Sequence, residues 1–428
     1  MNLNVPESRF PTVVIVGGGF AGLHVAASLL KADFRVIMLD RHNYHTFQPL
    51  LYQVATAGLE PDSVAYPLRR ALHNSRNFFF RMTQVTQVNP AQKLLHTKIG
   101  DLHYDYLILA TGSTTNFFGN ANLERYAYPM KSIPEALNLR SLILQQFEKA
   151  TLTRNEAQRV ALMNFMVVGA GPTGVELSGA LAELKQNALP VDYPDLDVEK
   201  MDITLIEAGP RVLGTMSEKS SDHAKRYLQK LGVNVKLNTA VSDYDGEQIT
   251  FADGTTANTK TVIWTAGVKG ASIHGPETAI NPRSGRIKVD AFNRVEGYEN
   301  IFAIGDVAEM PTAEYPKGHP MVAQVAIQQG TNLGKNLRRM QDGKEMQPFE
   351  YYDKGSMATV GKNKAVVDLP KPKMHMAGRF AWFIWMFIHL LALVGFRNKA
   401  VTFFNWVYNY FRYDKGIRLI IRPAEEKL

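Results

Sequence analysis

The chain has 428 residues, no cysteine, and 48 lysines plus arginines against 40 aspartates plus glutamates, a net charge of +8. Without cysteine there is no disulfide framework, thiolate zinc site, cysteine-ligated iron–sulfur cluster or redox-active dithiol, so electrons that move here are carried by something other than sulfur. The length suits two or three domains, and 45% hydrophobic with 21% charged residues describes a globular chain, not a disordered one.

The N-terminal Met1-Asn-Leu-Asn-Val-Pro6 has no basic stretch leading into an apolar run, so no secretory signal is expected and the main body is placed in the cytoplasm. Thr12-Val-Val-Ile-Val16 then reads as a strand, followed by the turn Gly17-Gly-Gly19-Phe20-Ala21-Gly22, a helix over Leu23 to Leu30 and a second strand, Phe34 to Asp40. Strand, glycine turn, helix, strand and terminal acid at this spacing are what a dinucleotide site requires. Gly17 permits the tight turn, and Gly19 lets the backbone approach a pyrophosphate seated on the helix N-terminus. Gly22 allows close helix–strand packing, and Asp40 is placed to accept from a ribose hydroxyl. Arg41, His42, Tyr44 and His45 follow in a loop. With no second cluster of ligands nearby in sequence, the histidines read as loop positions near a bound group or as plain surface, not as a metal site.

Tyr106-Leu-Ile-Leu-Ala110-Thr111-Gly112 is a strand ending in small residues, where a backbone passes close to a ligand. The whole unit then recurs: Phe165 to Val168, the turn Gly169-Ala-Gly171-Pro-Thr173-Gly174, a helix to about Leu189, and Asp202 to Glu207 as the second strand with its acid. This acid lies further downstream than the usual spacing of about 20 residues, and Asn187 to Asp195 reads as an inserted loop that accounts for it. Val262-Ile-Trp-Thr-Ala-Gly267 echoes the Tyr106 strand, and a third such strand, Ile301 to Gly305, ends at Asp306. Two copies of one architecture imply two bound dinucleotides. Glu176 falls in the first turn of the second unit's helix, where an acid complements the helix dipole by less than about 1 kcal/mol. Pro320 reads as a helix start, and Gln324 and Gln328, four apart, share one face of that helix.

Phe380 to Phe396 is a stretch of seventeen residues with His389 the only strongly polar one, at the lower limit of about 17 for spanning a bilayer. Lys371, Lys373 and Arg379 precede it and Arg397 and Lys399 follow, which gives no orientation bias. His389 reads as a hydrogen-bonded packing residue. Next, Phe403, Trp406, Val407, Tyr410 and Phe411 share a helical face opposite Thr402, Asn405, Asn409 and Arg412. That pattern suits an amphipathic helix lying in the headgroup layer. From Phe396 onward seven bases (Arg397, Lys399, Arg412, Lys415, Arg418, Arg422, Lys427) face three acids (Asp414, Glu425, Glu426), half of the net charge of +8. Beside so many aromatics, this surplus points to an anionic membrane surface and not to nucleic acid. A pair of helices buried in a homodimer is the alternative, and both uses are compatible.

These residues resemble the flavoproteins with two dinucleotide-binding domains. Within that superfamily the sequence is similar to the type II NADH:quinone oxidoreductases through His45-Thr-Phe-Gln48-Pro-Leu-Leu51, Ala323-Gln-Val-Ala-Ile-Gln-Gln-Gly330 and the aromatic, basic C-terminus. The absence of cysteine excludes glutathione-reductase-like and sulfide:quinone relatives. Ferredoxin-reductase-like and apoptosis-inducing-factor-like relatives stay open on that count but are not expected to carry the glutamine run or the tail.

The resemblance implies an α/β fold of two Rossmann-like domains, one for FAD and one for NADH, plus a C-terminal amphipathic helical membrane anchor. The implied boundaries are residues 1–118 and 287–345 for FAD, 119–286 for NADH and 346–428 for the anchor. Hydride passes from NADH to the flavin and two electrons pass on to a membrane quinone, ubiquinone or menaquinone, without proton pumping. The implied FAD contacts are Gly17, Gly19, Phe20, Ala21, Gly22, Asp40, Arg41, Gln48, Ala110, Thr111 and Gly112, with Gly305 and Asp306 at the ribityl–phosphate region. Gly169, Gly171 and Gly174 serve the nicotinamide cofactor. Glu207 favours NADH because a carboxylate repels a 2′-phosphate, with Arg211 near enough to admit some NADPH use. Glu176 is implied to help NADH bind or to pass protons, and Gln324 and Gln328 to meet a quinone carbonyl or to brace the FAD. The protein is placed peripherally on the cytoplasmic face of the cell membrane. A reductase of a protein electron carrier and a slow nucleotide-binding redox sensor are the alternative readings.

Overall fold

The computed structural model describes residues 3–73, 77–412 and 418–424. Asp414, Lys415, Glu425, Glu426 and Lys427 of the basic tail lie outside the described residues. The chain forms two compact units, one of Met1–Thr46, Ala65–Thr114 and Val268–Asp353, the other of Phe47–Val64, Thr115–Gly267 and Lys354–Leu428.

The first unit is built on a five-stranded parallel sheet in the order Ile301–Ala303, Tyr106–Leu109, Thr12–Val16, Arg35–Asp40, Phe78–Met82. Every residue of Thr12–Val16 is buried, which is why the run is continuously apolar and β-branched with no polar alternation. The helix Phe20–Leu29 runs from the glycine turn and packs on the helix Ala323–Gln341. A Cβ on Gly330 would come 2.4 Å from the Ala21 carbonyl oxygen, so the two helices approach backbone to backbone. The last glycine of the Gln-rich run is thereby explained by packing. The helix itself starts later than Pro320. Val322 is its extended cap and turns its N–H back to the Pro320 carbonyl at 2.9 Å, which leaves the proline outside the first turn.

The second unit repeats the sheet, again all parallel: Tyr128–Pro129, Thr261–Trp264, Asn164–Val168, Asp202–Ile206, Asn234–Lys236. Its glycine turn opens the helix Pro172–Asn187, with proline at the position where a missing N–H is harmless. The stretch expected to be an inserted loop contains a short helix, Leu189–Asp192. A three-stranded antiparallel sheet, Ser356–Thr359, Ala365–Pro370 and Lys373–Gly378, precedes two terminal helices.

Those helices differ from the sequence expectation in two respects. The apolar stretch does not run unbroken to Phe396: the first helix, Arg379–Ala392, stops, Gly395 takes a left-handed φ of +83°, and Phe396–Arg412 begins a new one. No helix among the described residues is long and apolar enough to cross a membrane. The second correction concerns the faces of Phe396–Arg412. Asn398, Thr402 and Trp406 are buried, while Phe396, Phe403, Phe404, Val407, Tyr408 and Phe411 are exposed. Asn398 donates to the Asp62 carbonyl, Asn405 to Glu60 and Asn409 to the Gly58 carbonyl, so the polar stripe faces inward. Trp406 sides with that stripe, because its indole packs at a tilt against Trp385, with ring centroids 5.9 Å apart, and its N–H meets Gln53. Tyr410 is half-buried against Trp382.

Candidate functional site

In the first unit Gly17 holds φ at +109°, and a Cβ there would lie 2.3 Å from the Ala110 carbonyl oxygen, a conformation and a contact that only glycine allows. Gly22 is pressed as closely against Gly17. Around Gly19 and Gly112, in contrast, a Cβ would meet nothing within 4 Å, so the turn is open on that side. Asp40 accepts the Gly18 N–H at 2.6 Å and the His42 N–H at 2.7 Å, which fixes the turn and orients the carboxylate. The Thr111 hydroxyl is buried without a partner beside Gly112 in the chain. Ser113 donates to Asp306 at 2.5 Å, and Gly305 donates its N–H to Gln329 at 2.7 Å. Buried Gln329 was not singled out from sequence, although it sits inside the glutamine run. Arg41 is exposed, as is Gln48, which belongs to the second unit.

His45 is not a surface residue. It lies on the strand Tyr44–Thr46 paired with Ala65–Pro67, with Nδ1 3.1 Å from the Gly18 carbonyl and its ring edge-on to Phe20 at 4.9 Å. Burial pushes its pKa down to about 4 against the opposing pull of the Gly18 carbonyl, so the imidazole is neutral, and Nε2 has no partner. No group of three metal-ligating side chains forms among the described residues. The open glycine positions, the orphaned Thr111 hydroxyl and the aligned Asp40 together fit a dinucleotide lying over this turn.

The second unit has the same construction. Gly169 has φ +100°, Gly174 is pressed against Gly169, and Gly171 faces open space. Glu207 accepts the Ala170 N–H and the Gly209 N–H, each at 2.8 Å. Arg211 donates to the Gly214 carbonyl at 3.0 Å and lies 3.9 Å from Glu218.

Glu176 sits beyond this turn in a cavity of about 120 Å³ whose walls include Tyr52, Glu183, Lys362, Trp382, Trp385, Met386, Trp406 and Tyr410. Only 6% of Glu176 is exposed. Burial raises its pKa to about 8, opposed by the Thr359 N–H at 3.3 Å and by the nearby Trp385 indole, which makes no hydrogen bond of good geometry. A dipole-stabilised surface acid would be ionised. This one is a neutral acid at pH 7, which sets aside the helix-dipole account. His389 behaves as expected: it stacks on Trp385, bonds the Trp385 carbonyl at 2.7 Å and is held neutral by burial, with a pKa of about 4. Tyr52, Trp385 and Lys362 were missed from sequence. For Tyr52 the signal was its position next to the quoted His45–Leu51 run.

In the first unit, Gln324 donates to Asp353 at 3.4 Å. Gln328 donates to the Tyr352 carbonyl at 2.9 Å and accepts the Tyr352 N–H at 3.0 Å. The Gln328 oxygen and one of its two N–H groups are therefore committed to the Tyr352 backbone, and the second N–H remains for a further acceptor.

Two glycine cradles, each braced by a strand-end acid, define a dinucleotide-dependent oxidoreductase fold. Residues 11–330 match the family model described as pyridine nucleotide-disulphide oxidoreductase, and residues 353–412 match the NDH2 C-terminal domain. The chain is 37% identical over 94% of its length, and 89% of the relative's, to a type II NADH:quinone oxidoreductase of Mycobacterium tuberculosis. It is 29% identical over 91% of its length, and 97% of the relative's, to one of Staphylococcus aureus. The solved NDH2 of Plasmodium falciparum in complex with NADH shares the fold at a TM-score of 0.88 and 23% identity, covering 97% of this chain and 100% of that one. The chain belongs to the type II NADH:quinone oxidoreductase family. FAD is the characteristic cofactor of that family, and the first unit's cradle has the residues to hold it.

Proposed function

We propose that the protein oxidises NADH and reduces a membrane quinone through FAD, without pumping protons. When bound, FAD accepts a hydride and returns two electrons, one pair per turnover. Gly17, Gly19 and Gly22 admit its pyrophosphate to the helix N-terminus, and Phe20, Ala21, Ala110, Thr111 and Gly112 line the approach, with Thr111 donating to it. Asp40 takes a ribose hydroxyl while it locks Gly18, and Asp306 orients the ribityl side. Arg41 and Gln48 reach the cofactor from exposed positions. Residues 1–118 and 287–345 form the FAD part, 119–286 the NADH part and 346–428 the anchoring region. Gly169, Gly171 and Gly174 seat NADH, and Glu207 selects it over NADPH by charge.

The observation that carries the reading furthest is Glu176: a carboxyl held neutral inside an aromatic-walled cavity. A quinone head is a flat, apolar ring with two acceptor oxygens that need two protons with the two electrons. One is the proton that came with the hydride of NADH, and the neutral Glu176 carboxyl beside the ring would supply the other and regain it from solvent. Gln324 acts at the flavin edge of the quinone, and Gln328 holds Tyr352. The exposed aromatic face of Phe396–Arg412 lies in the headgroup layer of the cytoplasmic leaflet, with a homodimer through the same face as the competing use. Steady-state kinetics with NADH and NADPH against a panel of quinones, recorded with the flavin spectrum, test the reading. Turnover that requires a carrier protein instead of a quinone overturns it.

A further inference from the structure

The cavity's hydrogen bonds have a direction that can be read from one end. The Trp406 indole N–H is a donor and never an acceptor, and it lies 2.8 Å from Gln53 Oε1. That contact fixes the orientation of the Gln53 amide, so its nitrogen is the atom that donates to the Tyr52 hydroxyl oxygen at 2.9 Å. Tyr52 is thus an acceptor on this side, and its own proton has to go elsewhere. It has no acceptor among the described residues, the Tyr52 side chain is buried, and its phenol is held un-ionised, chiefly by that burial and then by Glu176 and Glu183. The open direction is the cavity it lines together with Glu176.

We infer that Tyr52 is a hydrogen-bond donor that this cavity presents, alongside the neutral Glu176 carboxyl, to a carbonyl oxygen of the quinone, and that Gln53 and Trp406 are positioning residues that keep it a donor. The inference rests on the reading that a quinone enters this cavity. It also assigns the terminal helix a second use. By seating Trp406, Phe396–Arg412 sets the polarity of a hydrogen-bond chain that ends at the substrate. A quinone has two acceptor oxygens and no proton to donate, so it gains from a second donor beside Glu176, and the chain keeps Tyr52 in that role.

The test uses the full-length FAD-loaded protein, with binding of decylubiquinone read by equilibrium dialysis, which does not depend on the cavity tryptophans that some variants change. Tyr52→Phe keeps the ring and removes the proton, and should weaken binding about five- to tenfold, raising the quinone KM more than it lowers kcat. The rate of flavin reduction by NADH in stopped flow should not change. Trp406→Phe releases the Gln53 amide, which can then turn its carbonyl to Tyr52 and capture the proton, so this variant should show most of the same loss. The double variant should be no worse than Tyr52→Phe alone. Unchanged affinity in Tyr52→Phe, or losses that add in the double variant, overturns the assignment. Filling the cavity with Met386→Trp, or with Ala180→Leu where the first variant loses FAD, separates the two levels. If filling leaves quinone affinity unchanged, the cavity reading falls. If filling weakens binding but Tyr52→Phe does not, only the donor assignment falls.

Discussion

The Glu207 carboxylate accepts the Ala170 N–H at 2.8 Å, joining the end of one strand to the glycine turn at the end of its neighbour. Asp40 and Gly18 repeat this bond in the first unit at 2.6 Å. The acid proposed to take the ribose is therefore also a brace of the glycine turn, so a substitution meant to change specificity also changes loop geometry.

For that reason Glu207→Gln is a sharper probe than Glu207→Ser. Glutamine keeps one acceptor for the turn and loses the charge that repels a 2′-phosphate. The ratio of kcat/KM for NADH over NADPH should narrow about tenfold, one charged contact's worth of discrimination. Serine is too short to reach either amide and should also raise the NADH KM. Parallel kinetics with both cofactors at fixed ionic strength check this, and a constant ratio in both variants moves the ribose contact to another residue.

A second expectation concerns pH. The Glu176 carboxyl ionises near 4.5 when the chain is unfolded but keeps its proton to about pH 8 in the native cavity. Between those values the unfolded state binds fewer protons than the native one, so this group lowers stability as pH rises, by at most about 1.4 kcal/mol per pH unit. Glu176→Gln has no proton to lose and should flatten the decline of Tm between pH 5 and 8. In the same variant, quinone reduction should lose its alkaline fall near pH 8. A wild-type and variant Tm difference that does not vary with pH would show that the carboxyl is ionised in the fold.

The parts of this architecture that were legible from sequence are those set by local geometry. Gly17 and Gly169 need positive φ, Asp40 and Glu207 end short strands, and each of these facts sits within one supersecondary unit. What was not legible depends on partners far along the chain. Helical periodicity separates Thr402, Asn405 and Asn409 from Phe403 and Phe411, but which stripe turns inward is decided by the Gly58 carbonyl and Glu60, more than three hundred residues earlier. Burial of His45 follows from the Gly18 carbonyl that meets it, and burial of Glu176 from Thr359 and Trp385. From sequence Glu176 falls in the first turn, but it is the fifth residue of Pro172–Asn187, on the buried face, and an acid near a helix start looks like a surface acid until its lid is known.

Gln328 gives a third test. Because its amide is bonded on both sides to the Tyr352 backbone, Gln328→Leu removes two hydrogen bonds and should cost about 1–3 kcal/mol of stability. Both half-reactions should fall together, along with retention of FAD, as Tyr352 and its neighbours loosen. Stopped-flow separation of flavin reduction by NADH from flavin oxidation by quinone reads the outcome. A loss confined to the quinone step would restore a direct contact with substrate.

The last expectation concerns the terminal helix, where the two faces call for opposite results. Phe404 is 68% exposed on the aromatic side, whereas Trp406 is 8% exposed and bonded to Gln53. A carboxylate at Phe404 stays in water in the isolated protein and leaves the fold intact, but it meets an anionic headgroup layer with both the wrong charge and the wrong polarity. Phe404→Glu should therefore reduce co-flotation with vesicles containing anionic lipid, keep Tm and FAD content near wild type, and slow turnover with long-tailed quinones in those vesicles more than with a soluble analogue. Trp406→Glu buries an unpaired charge beside Trp385 and should lower Tm and disturb quinone turnover in solution, with or without lipid. The wild type should be partly extracted by high salt or alkaline wash, because a helix in the interface is held by charge as well as by apolar area. Flotation of Phe404→Glu at wild-type level, with Phe403→Glu behaving the same way, would assign the aromatic face to another copy of the chain. A concentration-dependent change in sedimentation would then accompany the substitutions.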